Sequence, residues 1–505
     1  MYPTRRIRGF GLSLLALLVA SSCVDEKVVF QDRELFTEPA AEAQGFLGYT
    51  DMEAKLTVCG NCHVGQQGEW VATAHASAWE GLQSSDHAQA TCEGCHTVNE
   101  LGNPLQGAAG FTAVAEDRYH DVQCESCHGP GLDHVENPDI AANHPLAPID
   151  VGTDLTLGCG ECHSGAHHPF VEEWAASPHG TLNAYPAGRD GCNACHEAKG
   201  ALVAFGENAD YLEKGGTDLF PQTCVVCHDP HDATHDAQLR FAVDEPNLET
   251  NLCARCHSRR TVPDPTSSHG LEPHAPSAAL LLGDAGWFPP GAEINQGEII
   301  ASHGSEGNER LCATCHVNAF SAFDESTETT VFSVGHTFQA IPCVDETGAP
   351  TGGDCELSQE ARSFDGCTGA GCHTSQEGAF SALFASSGNI QFLVEELHDL
   401  LLQVDPNLEE EGGEIDPGNP VFTVAEGAFF NMELAEFGGT DRPSARLASV
   451  SAAAHNPFLV PELLRASIEL VEDEYGVTAS PEKAAPAHLK SGPYKTLIWK
   501  KGAQD

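Results

Sequence analysis

The sequence predicts a mainly α-helical protein with extensive loops, in which short helices dominate the middle of the chain and longer helices its C-terminal part. Three observations lead to this prediction. A short cysteine and histidine pattern recurs between residues 59 and 373, the chain between its copies is rich in Gly, Pro, Asp and His, and apolar residues recur at helical spacing beyond residue 373. We therefore expect little or no β-sheet, and four regions along the 505 residues: 1–23, 24–58, 59–375 and 376–505.

The first region, residues 1–23, is predicted to be a secretion signal. Three arginines precede the apolar run GFGLSLLALLVA, which is too short for a confident membrane span. The run ends at ASSC, which is typical of a lipoprotein processing site with Cys23 as the lipidated residue; ordinary cleavage near Ser22 is the alternative. We therefore expect an exported protein in the periplasm or on the outer membrane, with a lipid anchor at Cys23. Residues 24–58 are polar and acidic and are interpreted as a linker.

The third region, residues 59–375, contains eight copies of the pattern Cys-x-x-Cys-His and a ninth copy with a wider gap. The histidines of the first seven copies lie 29 to 35 residues apart, and the next step is 59 residues. The copies, called motifs 1 to 9 below, are CGNCH (59–63), CEGCH (92–96), CESCH (124–128), CGECH (159–163), CNACH (192–196), CVVCH (224–228), CARCH (253–257), CATCH (312–316) and CTGAGCH (367–373).

The pattern indicates covalently bound c-type haem. Two thiols add across the two vinyl groups of one porphyrin, and the adjacent histidine ligates the iron. Structural zinc sites use separated Cys and His pairs, and neither disulfides nor thioredoxin-like pairs require the histidine. We therefore expect about nine haems; a bulged loop lets the ninth motif reach both vinyls, with a disulfide or free thiols as the alternative there.

The predicted haem-binding residues follow directly from the motifs. The thioether cysteines are Cys59, Cys62, Cys92, Cys95, Cys124, Cys127, Cys159, Cys162, Cys192, Cys195, Cys224, Cys227, Cys253, Cys256, Cys312, Cys315, Cys367 and Cys372. The proximal iron ligands are His63, His96, His128, His163, His196, His228, His257, His316 and His373.

Each iron also needs a second axial ligand. The chain has 26 His but only three Met, so ligation by two histidines is expected for most haems, and it leaves no open iron position. The predicted distal ligands are His75, His134, His179, His231, His274, His303, His336 and His455. As the ninth distal ligand, His168 is preferred over His120, His87, His269 and His398, and His235 is a rival of His231.

Two features lie outside the motifs. Cys343 and Cys355 remain after the motif cysteines and Cys23 are set aside, and they are predicted to form a disulfide in an oxidising compartment. In the fourth region, residues 390–404 and 456–475 have helical periodicity, with Pro461 interrupting or beginning the second helix, while residues 405–420 form an acidic loop. This region is predicted to be a helical cap or scaffold.

The charge of the chain limits its partners. With 24 Lys plus Arg against 74 Asp plus Glu, the net charge is −50, which excludes the basic surface that nucleic acid binding needs. A docking partner is expected to be basic or locally neutral. A solvated surface suited to a saline habitat is the alternative reason for the acidity.

Several segments resemble the multihaem cytochromes of the cytochrome c-552/4 type, which are related to hydroxylamine oxidoreductase and its tetrahaem cytochrome partner. They are CGNCH with EWVATAHASAW, CESCHGPGLDHV, HHPFVEEWAASPH, CHDPH and AHNPF. The resemblance covers residues 55–375 and implies closely packed haem pairs. Some reductases of this group have a haem motif that ends in Lys, and no such motif is present in this sequence. A tyrosine equivalent to the crosslinking Tyr of hydroxylamine oxidoreductase is not identified either, and Tyr119 is interpreted as a packing residue.

Three functions remain open from the sequence. The first is an electron carrier between a quinol-linked donor and a terminal reductase or extracellular acceptor. The second is an oxidoreductase acting on a small nitrogen or sulfur compound (nitrite, hydroxylamine or tetrathionate) at one open haem, with His87, His120 or His167 as acid or base. The third is a polymerised cytochrome wire. The first is preferred, and no catalytic residue is predicted for it.

Overall fold

The structure is a computed structural model that describes residues 36–490, with gaps at 152–156, 166–167, 268–269, 293, 295–301, 325–327, 352–354, 370–372, 407, 409–420 and 438–448. The predicted signal segment, including Cys23, lies outside the described residues, as do Cys372, His167, His269 and most of the acidic loop at 405–420.

The described chain is mainly helical. Its α-helices are α1 Val64–Trp70, α2 Ala78–Ser84, α3 Gly110–Val114, α4 Cys124–His128, α5 Leu132–Glu136, α6 Phe170–Ala176, α7 Ala184–Ala187, α8 Asn193–His196, α9 Ala198–Ala204, α10 Cys224–Cys227, α11 Ser277–Leu282, α12 Cys312–His316, α13 Asp365–Thr368, α14 Gln376–Val404, α15 Val424–Glu436, α16 Val450–His455, α17 Leu459–Tyr475 and α18 Ala487–Lys490. Single 3₁₀ turns are formed by Ala41–Ala43, Cys59–Asn61, His75–Ser77, Glu93–His96, Asp117–Tyr119, Ala141–Asn143, Gly158–Glu161, Asp236–Gln238 and Ser302–Gly304.

The sheet content is small, as predicted. Three antiparallel two-stranded hairpins are described: β1 Tyr49–Asp51 with β2 Leu56–Thr57, β3 Phe320–Asp324 with β4 Thr329–Ser333, and β5 Cys343–Val344 with β6 Pro350–Thr351. The disulfide predicted between Cys343 and Cys355 is confirmed, with their Cα atoms 5.9 Å apart. It fastens the β5–β6 hairpin to the chain that follows it.

Part of the segment interpreted as a linker is packed. The 3₁₀ turn at 41–43 is followed by Phe46, which is fully buried against Val98 and Tyr119. The Tyr119 hydroxyl donates to the carbonyl of Phe46 at 2.8 Å, which agrees with the packing role expected for this tyrosine. The N-terminal segment therefore belongs to the same core as the chain around motifs 2 and 3.

The longer helices lie at the C-terminal end, as predicted. Helices α14, α15, α16 and α17 pack on one another around a continuous apolar core that also takes in α11. A capping box between Thr423 and Glu426 begins α15, and Gly476, at φ +65°, ends α17 in a left-handed conformation. Pro461 lies in the first turn of α17, where its missing N–H costs no helical hydrogen bond.

None of the described helices combines the length and the apolar character that crossing a bilayer requires.

Candidate haem sites

Each motif folds as about one helical turn. The backbone N–H of the motif histidine donates to the carbonyl of the first cysteine, at 2.9 Å in motifs 1, 4 and 6 and at 3.0 Å in motif 7. In motif 9 the bond from His373 to Cys367 persists at 3.2 Å, although two more residues lie between the cysteines. His373 therefore makes the same hydrogen bond to the first cysteine of its motif as these other motif histidines do.

Eight of the nine motif histidines face a second imidazole across a narrow gap. In every case the second histidine is one that the sequence analysis selected as a distal ligand, and the ring centroids are 6.1 to 6.4 Å apart. The pairs are His63–His134, His128–His231, His163–His75, His196–His274, His228–His336, His257–His179, His316–His455 and His373–His303.

This separation fits one metal ion between two imidazoles. With a metal–nitrogen bond of about 2 Å and a ring radius of about 1.1 Å, two rings on opposite sides of an iron have their centres about 6.2 Å apart. Direct stacking would bring the rings much closer, as it does for Trp79 and His120, whose centroids are 3.9 Å apart. The eight pairs therefore have the spacing of axial ligands rather than of packed rings.

Backbone carbonyls orient several of these imidazoles through Nδ1. Among motif histidines, His128 donates to Pro145 at 2.9 Å, and His316 to Phe338 at 2.8 Å. His303, one of the second histidines, donates to Ala454 at 2.6 Å. A proton held on Nδ1 leaves the Nε2 lone pair free for iron, so these bonds select the tautomer that a ligand needs.

Desolvation favours the neutral form of most of the paired imidazoles. It lowers the pKa of His163, His257 and His455 to about 4, with the neighbouring histidines adding to the effect. His231 differs, because its hydrogen bond with the Asp229 carboxylate raises its pKa. Neutral imidazole is the form that binds metal, so the environment of the first three favours ligation.

His96, the histidine of motif 2, stands apart. Its Nδ1 donates to the carbonyl of Ala78 at 2.7 Å, as Nδ1 of His128 and of His316 does to a carbonyl. Among the described residues, however, no second histidine ring lies across from it. His168, the predicted ninth distal ligand, is exposed and close enough to His163 to lower its pKa.

The other histidines considered from the sequence lie elsewhere. His120 is stacked on Trp79, and His87 is exposed. His398 lies in the long helix α14, and His235 precedes the 3₁₀ turn at 236–238. None of these four takes part in a described pair of the kind found at the eight sites.

The motifs contact one another through their cysteines. The thiols of Cys59 and Cys124 lie close enough to shift each other's pKa, which brings motif 1 to motif 3. Equivalent contacts join motif 2 to 4, 4 to 6, 5 to 7 and 7 to 8, through the pairs Cys95–Cys162, Cys159–Cys224, Cys195–Cys256 and Cys253–Cys312. These contacts form three groups: motifs 1 and 3, motifs 2, 4 and 6, and motifs 5, 7 and 8. Charge interactions between Cys127 and Cys159 and between Cys227 and Cys253 place the three groups next to one another, so that motifs 1 to 8 form one array.

The C-terminal half of this array surrounds a single cavity of about 2510 Å³. Its walls carry histidine pairs from motifs 5 to 9, together with apolar side chains such as Leu281, Phe338 and Phe458. Pockets for one small molecule are usually about 300 to 1,000 Å³. The size, the thiols and the facing imidazoles together fit several large planar cofactors rather than one small ligand.

Comparison with known proteins agrees with this chemistry. A family model described as cytochrome c554 and c-prime matches residues 58–129, which hold motifs 1 to 3, and a doubled CXXCH motif model matches residues 220–261. The chain is 24% identical over 231 residues to the multiheme cytochrome MtrA of Shewanella baltica, which covers 38% of this chain and 64% of that relative. It is 34% identical over 90 residues to cytochrome c-554 of Nitrosomonas europaea, covering 14% of this chain.

The chain thus spans 64% and 36% of the lengths of these two curated relatives. Among solved structures, it is similar to that of the outer cell wall cytochrome OcwA, with 18% identity, 75% of each chain covered and a TM-score of 0.42.

Proposed function

Because the chain is a multihaem c-type cytochrome, we propose that it transfers electrons through about nine covalently bound haems, most of them held by two histidines. The eight motif histidines that face a second imidazole at 6.1 to 6.4 Å carry this proposal. An iron with two histidine ligands has no vacant position for a substrate, and it favours low reduction potentials. Haem c supplies reversible one-electron chemistry at its iron, and the chain's part is to hold, orient and shield it.

The proposed ligand sets follow from the pairs. The motif histidine is the proximal ligand and its facing histidine the distal one, so His75 serves motif 4 and His179 serves motif 7. For motif 2, His168 is proposed as the distal ligand. His168 lies near His163 of motif 4, and motif 4 lies next to motif 2 through Cys162 and Cys95. The cysteines of each motif, Cys372 included, are proposed to form the thioethers.

The proposed place of action is outside the cytoplasm. Attachment of haem c takes place after export, and the sequence of residues 1–23 has the features of a lipoprotein signal. We propose a periplasmic or outer-membrane respiratory chain, with a lipid anchor at Cys23 and protein redox partners on both sides. The nine-haem domain is assigned to residues 59–375 and the helical region to 376–505.

The test is an electron paramagnetic resonance spectrum of the oxidised protein, quantified against total covalent haem. Eight or nine low-spin signals of the type given by two histidines per iron are expected for about nine haems. A majority of high-spin signals, or a covalent haem count well below nine, would contradict the proposal. Intact mass gives the haem count independently of the iron ligands.

A second function is favoured by one observation, the absence of a facing imidazole at His96 among the described residues. In this alternative, motif 2 holds an open iron, and the protein is an oxidoreductase for a small nitrogen or sulfur compound. One high-spin haem that binds nitrite, hydroxylamine or cyanide would support it. Complete low-spin character and no spectral response to these ligands would exclude it.

A further inference from the structure

Motifs 1 to 6 form two copies of one structural unit. The first cysteines of motifs 1, 2 and 3 each have a counterpart 100 residues later, in motifs 4, 5 and 6. The Trp70 indole donates to the carbonyl of Val122, two residues before motif 3, at 3.0 Å; the Trp174 indole donates to the carbonyl of Gln222, two residues before motif 6, at 2.7 Å. Unit 1 (59–128) and unit 2 (159–228) therefore correspond in conformation.

Motif 7 stands to unit 2 as motif 4 stands to unit 1. The N–H of Val122 donates to the carbonyl of His75 at 3.1 Å, and the N–H of Gln222 donates to that of His179 at 3.0 Å, so these two histidines are equivalent. The His75 ring faces motif 4 and the His179 ring faces motif 7, each at a centroid distance of 6.1 Å. Each unit therefore supplies the second imidazole for the motif that follows it, and the surroundings of motifs 4 and 7 can be compared.

The residues just after the histidine differ between these two motifs. Ser164 and Gly165 follow motif 4, whereas Ser258, Arg259 and Arg260 follow motif 7. Serine is first in both, and the next position changes from glycine, which has no side chain, to arginine. No other motif in the sequence is followed by two arginines. The pair of guanidinium groups is therefore particular to motif 7.

Both arginines line the cavity that motifs 5 to 9 surround, and the charge of its wall is opposite to that of the chain. Arg310 and Arg362 line the cavity as well, whereas no Asp, Glu or Lys occurs among the described residues of the wall. In the whole sequence, acidic residues outnumber basic ones 74 to 24. The described wall is therefore cationic inside a strongly acidic protein.

The four arginines are not equally engaged by the fold. The Arg362 guanidinium donates to the backbone carbonyls of Ile341, Cys355 and Glu356 at 2.8 to 3.3 Å. Arg260 lies 3.8 Å from the Glu272 carboxylate, which is beyond hydrogen-bonding distance. Within the described part of the chain, the guanidinium groups of Arg259 and Arg310 make no hydrogen bond or ion pair. Cations in an enclosed space without an anion favour the entry of one.

The first two arginines also lie near a second haem site. Burial lowers the pKa of His274, which faces the histidine of motif 5, and the charges of Arg260 and Arg259 lower it further. These arginines are thus close both to motif 7, which they follow in sequence, and to the histidine pair of motif 5.

We propose that Arg259, Arg260 and Arg310 bind the propionate carboxylates of the haems held in this cavity. The inference rests on the proposed haem binding and goes beyond it by assigning the residues that hold the charged edge of the cofactor. The motif cysteines take the vinyl groups at one edge of a haem, and the propionates are at another. A guanidinium group forms two parallel hydrogen bonds with a carboxylate, and the described wall offers no acidic side chain that competes.

The test uses the haem-loaded protein and a spectroelectrochemical titration of its haems. Arg259→Gln leaves a propionate without its cation, and the uncompensated negative charge disfavours reduction of the nearby iron. At least one midpoint potential is expected to fall, by about tenfold in the reduction equilibrium or about 59 mV for one electron. Lys483→Gln is the matched control, because it removes the same charge from a half-exposed side chain outside the described cavity wall. Its equilibria should stay within about twofold of the wild type.

The pH dependence distinguishes a bound carboxylate from a charge that acts at a distance. Paired with arginine, a propionate keeps a low pKa and stays ionised, so the affected potential should vary little in the wild type between about pH 5 and 8. In Arg259→Gln the unpaired propionate takes up a proton when its haem is reduced, so that potential should fall as pH rises. Arg259→Lys retains a cation and should restore most of the wild-type behaviour.

Arg310→Gln is a second variant with the same expected results. Unchanged potentials in both glutamine variants, or shifts no larger than that of Lys483→Gln, would overturn the proposal. Addition of nitrite to the wild type at constant ionic strength examines the other possible occupant: a shift in potential that disappears in Arg259→Gln would assign the arginines to a soluble anion and also overturn it. Intact mass separates this failure from that of the proposed function, which fails if the wild type holds far fewer than about nine covalent haems.

Discussion

At the scale of single residues, what distinguishes the histidines proposed as ligands is the imidazole that each one faces and not its neighbours in sequence. His163 of motif 4 faces His75, 88 residues before it, and His316 faces His455, 139 residues after it. The residue types around a histidine can show that it is held in a particular local structure. Which motif it meets is decided by packing between distant parts of the chain.

Substitution of His75 tests this assignment. His75→Ala is expected to convert one low-spin haem to high spin, because His163 then lacks its facing imidazole, while the covalent haem content stays unchanged. Paramagnetic resonance and intact mass measure the two quantities. His87→Ala, at an exposed position outside the pairs, is the control and should alter neither. An unchanged spin count in His75→Ala would remove His75 from the ligand set.

Glu125, inside motif 3, gives a pH-dependent prediction. Its carboxylate accepts the N–H groups of Leu47, Gly48 and Gly131, yet complete burial outweighs these bonds and raises its pKa to about 7. Between its ordinary pKa and 7 the folded protein binds more protons than the unfolded chain, so this group's contribution to stability falls as pH rises. The loss is about 3 kcal/mol across that window.

Denaturant unfolding of Glu125→Gln at a series of pH values measures this contribution. The glutamine stays neutral, so the variant should lose less unfolding free energy than the wild type as pH rises from about 4.5 to 7. Glu53→Gln, at an exposed position, is the control and should run parallel to the wild type. If the unfolding free energy of Glu125→Gln changes with pH in parallel with that of the wild type, Glu125 is ionised in the folded protein throughout this pH range.

At the scale of elements, the paired tryptophans hold each unit together. Trp70 and Trp174 each tie the segment of a distal histidine to the chain entering the third motif of the unit. Trp70→Phe and Trp174→Phe keep the ring but lose the indole donor, so each should cost about 1 kcal/mol of unfolding free energy. Denaturant unfolding measures both, and the double variant should lose the sum, since the two bonds are in separate units.

Trp79, which donates no indole hydrogen bond among the described contacts and stacks on His120, offers the comparison. Trp79→Phe preserves an aromatic ring at that site and should cost less than either of the other two. A larger loss at Trp79 than at Trp70 would show that packing area, and not the indole bond, determines the effect.

The sequence predicts some of these elements well and others poorly, for physical reasons. The pattern of residues 390–404 and 456–475 correctly indicates α14 and α17, because a repeated apolar face is what helix packing requires. Between α1 and α2 the chain forms a separate turn at His75–Ser77, a break that the residue types there do not indicate. All eight histidines that face a motif were selected from their contexts, but their pairing depends on contacts between units.

The repeat shows the same limit. The steps of 33, 32, 35, 33 and 32 residues suggest one short period, whereas the structural unit contains three motifs and recurs after 100 residues. The longer unit is visible in the sequence only when motif 4 is aligned with motif 1. What identifies it physically is the recurrence of the same hydrogen bonds at Val122 and Gln222.

At the scale of the whole molecule, the excess of carboxylates over basic side chains dominates its approach to other charged species. A net charge of −50 produces a long-range field that salt screens over about 8 Å at physiological ionic strength. Reduced protein should therefore react several-fold more slowly with a small cationic oxidant as the ionic strength rises from about 0.01 M to 0.15 M. Over the same range it should react faster with an anionic oxidant, and its rate with a neutral oxidant should stay unchanged.

Stopped-flow measurement of the three second-order rate constants separates the field of the molecule from the chemistry of any one site. Opposite slopes for the cation and the anion mean that the sites of electron exit lie within the negative field, where a basic partner would also be steered. If the anionic oxidant instead slows with added salt, the exit must be surrounded by positive charge. The cavity wall that includes Arg259, Arg260 and Arg310 would then be the place to search for it, because these side chains can supply positive charge in a chain with an excess of acidic residues.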